Sequence, residues 1–226
     1  MPGFGGSQVF EALSTITSET YLPSFHEEVA YSIAHGASLV GQRSATLIKA
    51  HGLAKTANSV VDSLSTGVKA GFVVLVFDDK RGKHSDSIFD VAALLKGLAI
   101  PFRSPKAPDL YHEVINAFDR SENRCLPVAV LIDCDDLAQT ETYTPTQIKH
   151  SSHHYQPNVA QNVLCPFLVK YQRAVLSAKL AGHDWQALTP PALPHIPDFL
   201  LPEWQPTLQI YTPFLQHSAN CAGKWW

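Results

Sequence analysis

Two short runs limit what this chain can fold into more than any other feature. Gly71-Phe-Val-Val-Leu-Val-Phe77 and Val128-Ala-Val-Leu-Ile-Asp133 are almost wholly apolar, and acid follows or closes each, Asp78-Asp79 after the first and Asp133 in the second. A strand with one wet face alternates apolar and polar residues. Only a strand covered on both faces can be apolar throughout. Briefer strand candidates lie at 45–49 and 100–103, and helical spacing fills 53–67, 86–97 and 106–120 between them. This alternation predicts an α/β fold: a doubly wound, mostly parallel sheet with helices on both faces.

The flanking segments follow from the same reading. A helix is expected over 26–40, with Val29, Ile33, Ala37 and Val40 as its apolar stripe and Gly41 as its stop. His51-Gly52 reads as a turn, and Leu53, Ala57, Val60, Val61 and Leu64 share one side of the helix after it. Residues 1–23 are Gly- and Ser-rich with one helical patch at 8–14. Beyond residue 137 the composition changes. Residues 139–163 are polar and rich in His, Tyr and Gln, 166–181 suit one more helix, and prolines at 190, 191, 194, 197, 202, 206 and 213 rule out a regular helix in the tail. The expected organisation is an α/β domain over 1–137, a polar loop plus packing helix over 138–188, and a proline-rich tail over 189–226.

Charge and composition exclude several functions. Formal net charge is −3 and no basic block occurs, which disfavours a nucleic-acid surface. No 18-residue apolar run predicts a membrane span, and the start MPGFGGSQVF lacks the pattern of a signal peptide. Cys125, Cys134, Cys165 and Cys221 form no CxxC, so neither a zinc ribbon nor an iron–sulfur cluster is expected, and a reduced cytoplasmic chain is the simplest reading.

The chemistry candidates each have a plain alternative. Ser24-Phe-His-Glu27 reads as an S-x-x-E capping box, and Glu28 as a solvated helix charge. His51-Gly52 is either a plain turn or a close approach to a flat ligand, which a missing Cβ permits. His84 is either a surface residue or a proton donor. Asp78 and Asp79 are expected to cap a loop. His150, His153 and His154 suit a surface loop better than a metal site, since no acid or cysteine stands beside them at ligand spacing. No metal ligand is therefore assigned.

Three stretches together resemble a known family: HEEVAYSIAHGASLVGQRSATLIKAHGLAKTANSV (26–60), STGVKAGFVVLVFDDKRGKHSDSIFD (65–90) and the IPF…SP pair near 100–105. They look like the pyrimidine-binding (PYR) domain of thiamine diphosphate enzymes. The members it resembles include the alpha subunit of indolepyruvate ferredoxin oxidoreductase and the two-subunit sulfopyruvate and phosphonopyruvate decarboxylases. His26 stands where the family pattern has Asn.

The resemblance implies that Glu27 hydrogen-bonds N1′ of the cofactor's aminopyrimidine and favours its 4′-imino tautomer, the base that removes the thiazolium C2 proton. It implies that His51, Gly52 and Leu53 lie near the pyrimidine, and that His84 and Ser85 sit toward a 2-oxo acid. The family's second half holds the diphosphate through Mg²⁺ with a G-D-G…N motif, and this chain contains no GDG. A partner subunit carrying that (PP) half is therefore implied, in an α₂β₂ arrangement, for decarboxylation, acyl transfer to a second carbonyl, or oxidation. The competing expectation is a non-catalytic, partner-binding subunit that keeps the fold but not the cofactor site. The early Gly3-Phe-Gly-Gly-Ser7 leaves little room for the family's first strand.

Overall fold

The computed structural model describes residues 3–16, 24, 26–140, 142–144 and 158–193 of the 226-residue chain. Residues up to Pro190 form one compact unit, and of the second unit, Pro191–Trp226, only 191–193 are described. His150, His153 and His154, and the tail beyond 193, lie outside the described residues.

The two apolar runs become the middle of a parallel sheet, as their composition requires. Strands β1 (Ser44–Lys49), β2 (Phe72–Asp78), β3 (Phe102–Arg103) and β4 (Val128–Asp133) lie in the order β1-β2-β4-β3, every pair parallel. Their side chains divide by alternation. Phe72, Val74, Val76, Ala129 and Leu131 face one layer, and Val73, Phe77, Val128, Val130 and Ile132 face the other. The first layer is built from α2 (Glu27–Leu39), α3 (Ala50–Lys55), α4 (Ala57–Thr66), α5 (Val91–Gly97) and α7 (Val169–Ala181). The second holds α6 (Ala107–Arg124) and the segment around Phe4 and Val9, the latter in α1 (Gly6–Ile16). Among the described residues no strand precedes α2.

Several local expectations need correction. The side of α2 that meets the sheet carries Tyr31, Ala34 and Ser38, while Val29 and Ile33 are 48% and 66% exposed. Tyr31 and Ser38 bury because their hydroxyls are satisfied: Tyr31 shares a 2.6 Å bond with Ser63, and Ser38 donates to the Ala70 carbonyl. Val61 is likewise exposed on α4. His51 and Gly52 lie inside the first turn of α3 rather than in a turn between elements, and Thr56 separates α3 from α4. The capping box does not form. His26 is the N-cap residue with no side-chain cap bond, and Ser24 Oγ instead bonds the backbone of His26. Helix α5 begins only at Val91, capped by Asp90, so Ile88 and Phe89 stay in the preceding loop.

Candidate functional site

A parallel sheet offers its ligand crevice outside the carboxyl ends of its strands. Here those ends are Lys49, Asp78 and Asp133, and most of the sequence candidates gather around them.

Glu27 opens α2 and reaches across to α3. Its side chain lies so close to Gly52 that a Cβ there would sit 2.8 Å from Glu27 Cγ and 3.5 Å from Oε1. The bare Gly52 therefore makes room for the glutamate. Among the described residues, the ion partner of Glu27 is Lys55, 3.7 Å away and itself 70% exposed. A contact of that length at the surface holds the carboxylate only weakly. Glu28 points elsewhere, into a groove shared with Val29, Ile33 and Asn58.

His51 shares a 2.9 Å hydrogen bond between Nε2 and Ser87 Oγ, and its ring meets Phe89 edge-on at 5.5 Å. Its Nδ1 is buried with no partner. Buried polar atoms are rarely left so. Leu53 is fully buried in the core, so its side chain packs rather than faces a ligand.

The loop after β2 is tied by Asp79. Its carboxylate accepts from the His84 amide (2.7 Å), the Lys83 amide (3.0 Å) and Ser85 Oγ (2.9 Å). Burial pushes this carboxyl up, but those donors outweigh it and hold it below the usual carboxylate range. Asp79 thus does the loop-capping expected of it. Asp78 does not: its carboxyl makes no hydrogen bond among the described residues, and burial, with Asp133, Asp79 and Asp90 nearby, pushes it up against the opposing pull of Lys80. Ser85 is engaged in holding the loop. The His84 carbonyl accepts from Lys49 Nζ at 3.3 Å, and its ring stacks on Phe4 with centroids 3.8 Å apart.

Phe4 is held by two glycines that need their backbone freedom. Gly3 (φ 73°) lies against the Lys49 side chain, and Gly5 (φ 81°) against Cys134 and Phe77. The N-terminal segment thus covers the sheet end beside His84. Cys134 beneath it is chemically quiet, since burial and nearby carboxylates push its thiol up to about 12. Among the described residues no group of three or more His, Cys, Asp or Glu forms a metal site. No helix of the described residues is long and apolar enough to cross a membrane.

The contacts therefore bring Glu27 to Gly52, His51 to the β2–α5 loop, and His84 and Ser85 to Asp79 in that same loop. Sequence reasoning missed Phe4, Ser87 and Phe89. Only the apolar pair Ile88-Phe89 inside a polar loop signalled that something there is not mere surface.

No family model matches the chain. Among individual proteins, it is 30% identical over 121 residues to the sulfopyruvate decarboxylase subunit alpha of Methanococcus maripaludis, covering 50% of this chain and 71% of that one. The chain belongs to this alpha-subunit family. Its PYR-domain resemblance is thereby borne out in actual relatives. It is also 34% identical over 131 residues to indolepyruvate oxidoreductase subunit IorA of Methanothermobacter thermautotrophicus, and 30% identical over 125 residues to that of Thermococcus kodakarensis. These matches cover 56% and 54% of this chain but only 21% and 19% of the IorA chains. The family member described here thus spans about a fifth of the IorA length. A solved thiamine diphosphate-dependent 4-hydroxybenzoylformate decarboxylase from Rhodococcus jostii RHA1 aligns with 59% of this chain and 29% of its own, at 23% identity and TM-score 0.43.

Proposed function

We propose that this chain is the PYR-domain subunit of a split thiamine diphosphate-dependent enzyme acting on a 2-oxo acid, with Glu27 as the residue that activates the cofactor's aminopyrimidine. The observation that carries this reading is the Glu27–Gly52 contact. A carboxylate with no capping duty rests on a helix turn stripped of its Cβ, at the mouth of a parallel sheet. The relatives' names, sulfopyruvate decarboxylase and indolepyruvate oxidoreductase, support the substrate class.

The residues present fit the cofactor's pyrimidine half. Glu27 can share a proton with a ring nitrogen once Lys55 swings into solvent, a move that costs little for so exposed a pair. When bound, thiamine diphosphate supplies the electron sink for cleavage next to the carbonyl. His84, on its Asp79-capped loop, serves as proton donor or hydrogen-bond partner for the substrate carboxylate, with Ser85 holding the loop beside it.

The diphosphate and Mg²⁺ fall to a partner subunit carrying G-D-G…N, in an α₂β₂ assembly. The exposed Val29 and Ile33, on the same helix as Glu27, support a surface that a partner covers. The reaction is decarboxylation or acyl transfer, with oxidation open to a partner that carries the acceptor. Glu27→Gln in the isolated complex tests the reading. Turnover should fall by roughly 10²-fold or more while the subunits stay together. Unchanged turnover removes Glu27 from the chemistry.

A further inference from the structure

The β2–α5 loop leaves a second cleft beside the His51 rim. Its volume is about 400 Å³, and Ile88, Phe89, Val91, Ala92 and Leu131 line it with Asp78. That volume is within the ~300–1,000 Å³ usual for small-molecule sites. Two features make it more than a surface dent. Ile88 and Phe89, large and apolar, are 58% and 39% exposed at its lip. Phe89 is also the ring that meets His51, so the cleft adjoins the residues already assigned to the cofactor.

Charge limits what can enter. Among the described lining residues the carboxylates are Asp78 and Asp90, and the cation is Lys80. Lys80 is drawn to Asp133, 3.5 Å away. Asp90 is engaged by the Ala93 amide. An anionic group would find apolar walls and two carboxyls against one half-exposed ammonium that Asp133 also draws.

We infer that this cleft receives the side chain of the 2-oxo acid and selects an uncharged, apolar tail over an anionic one, with the carboxyls of Asp78 and Asp90 disfavouring the anion. This rests on the thiamine diphosphate reading above and adds a substrate class to it. It also sets this chain apart from a relative named for sulfopyruvate, whose tail is an anion. The groups facing Asp78 are Lys80, Asp133, Asp79 and Asp90, so acid outnumbers base around it.

The test uses the full chain in complex with its native partner, supplied with thiamine diphosphate and Mg²⁺. Consumption of pyruvate, 4-methyl-2-oxopentanoate and 2-oxoglutarate is compared, with and without a dye acceptor. The branched apolar acid should exceed 2-oxoglutarate in kcat/KM by about 10²-fold. Ala92→Phe, which fills the cleft, should lower the ratio of the branched acid to pyruvate about tenfold. Ser104→Phe fills it from the other side and serves if Ala92→Phe does not fold. Asp78→Asn should narrow the gap to 2-oxoglutarate. In the Glu27→Gln complex, saturation-transfer NMR should still show the tail methyls on the protein and lose them on filling the cleft. Equal use of 2-oxoglutarate, or a filled cleft that alters all three acids alike, overturns the inference alone. A complex that binds no cofactor and consumes no 2-oxo acid overturns the functional reading and this one with it.

Discussion

Replacing Gly52 by alanine sets two effects of opposite sign against each other. Gly52 lies in α3 and its φ is not in the left-handed region, so alanine meets no backbone strain. Helix propensity alone favours the change by ~0.8–1 kcal/mol. Against this, the new Cβ would lie 2.8 Å from Glu27 Cγ. Carbon atoms prefer about 3.5–4.0 Å, so the glutamate must retreat by more than ~0.5 Å. Glu27 is at a helix start with water on one side, and it can move at modest cost. The net change in stability should stay within about 1 kcal/mol, or roughly 4 °C in Tm. Catalysis has no such freedom. Displacing an aligned group by about 1 Å costs on the order of 10²-fold. The variant complex should therefore melt near the wild type, bind thiamine diphosphate less tightly and turn over ~10²-fold more slowly. Thermal denaturation, cofactor titration and kcat/KM read the three quantities. A variant with raised Tm and full kcat/KM would show that Gly52 is an ordinary helix residue and that the Glu27 contact is incidental.

Three further outcomes follow from the packing. Tyr31→Phe removes the 2.6 Å bond to Ser63 Oγ, which keeps its own bond to the Val60 carbonyl, and should cost about 0.5–1.5 kcal/mol in denaturant melts, with no direct effect on chemistry. Ile33→Asp, at a position 66% exposed, should change the chain's own stability by less than ~0.5 kcal/mol yet abolish co-purification of the partner. Lys179 is buried, donates to the Cys125 carbonyl and lies over Trp185, and burial lowers its pKa to about 8. The folded state then disfavours the ammonium. The penalty is full below that value and is relieved as pH rises toward the unfolded lysine's, so melting should strengthen between about pH 8 and 10. Lys179→Met should flatten that rise.

The sheet was legible because its central strands are apolar on both faces, a pattern with few other meanings. The end at which the site lies followed from parallel topology. The orientation of α2 was not legible. Periodicity marks an apolar stripe but does not say whether the sheet or a partner covers it, and here the sheet took the side with satisfied hydroxyls, Tyr31 and Ser38. The Ser24 capping box failed because helix α2 starts one residue after His26, leaving the serine to bond that residue's backbone. His51-Gly52 looked like a turn because glycine usually punctuates, but this glycine lies inside α3 with Glu27, far from it in sequence, packed where its Cβ would be. Ser87, Phe89 and Phe4 meet the site through tertiary contacts that no local pattern announces. Glu27, His51, His84 and Ser85 were named by the family pattern; His51, His84 and Ser85 meet at the β2–α5 loop, while Glu27 lies against Gly52 in α3.

The most direct test of the central claim is the thiamine diphosphate content of the full tagged chain isolated from its own cells. The expected result is a stoichiometric partner carrying G-D-G…N, with cofactor bound. A chain that comes down without that partner, holds no cofactor, and takes up none when Mg²⁺ and thiamine diphosphate are added would contradict it.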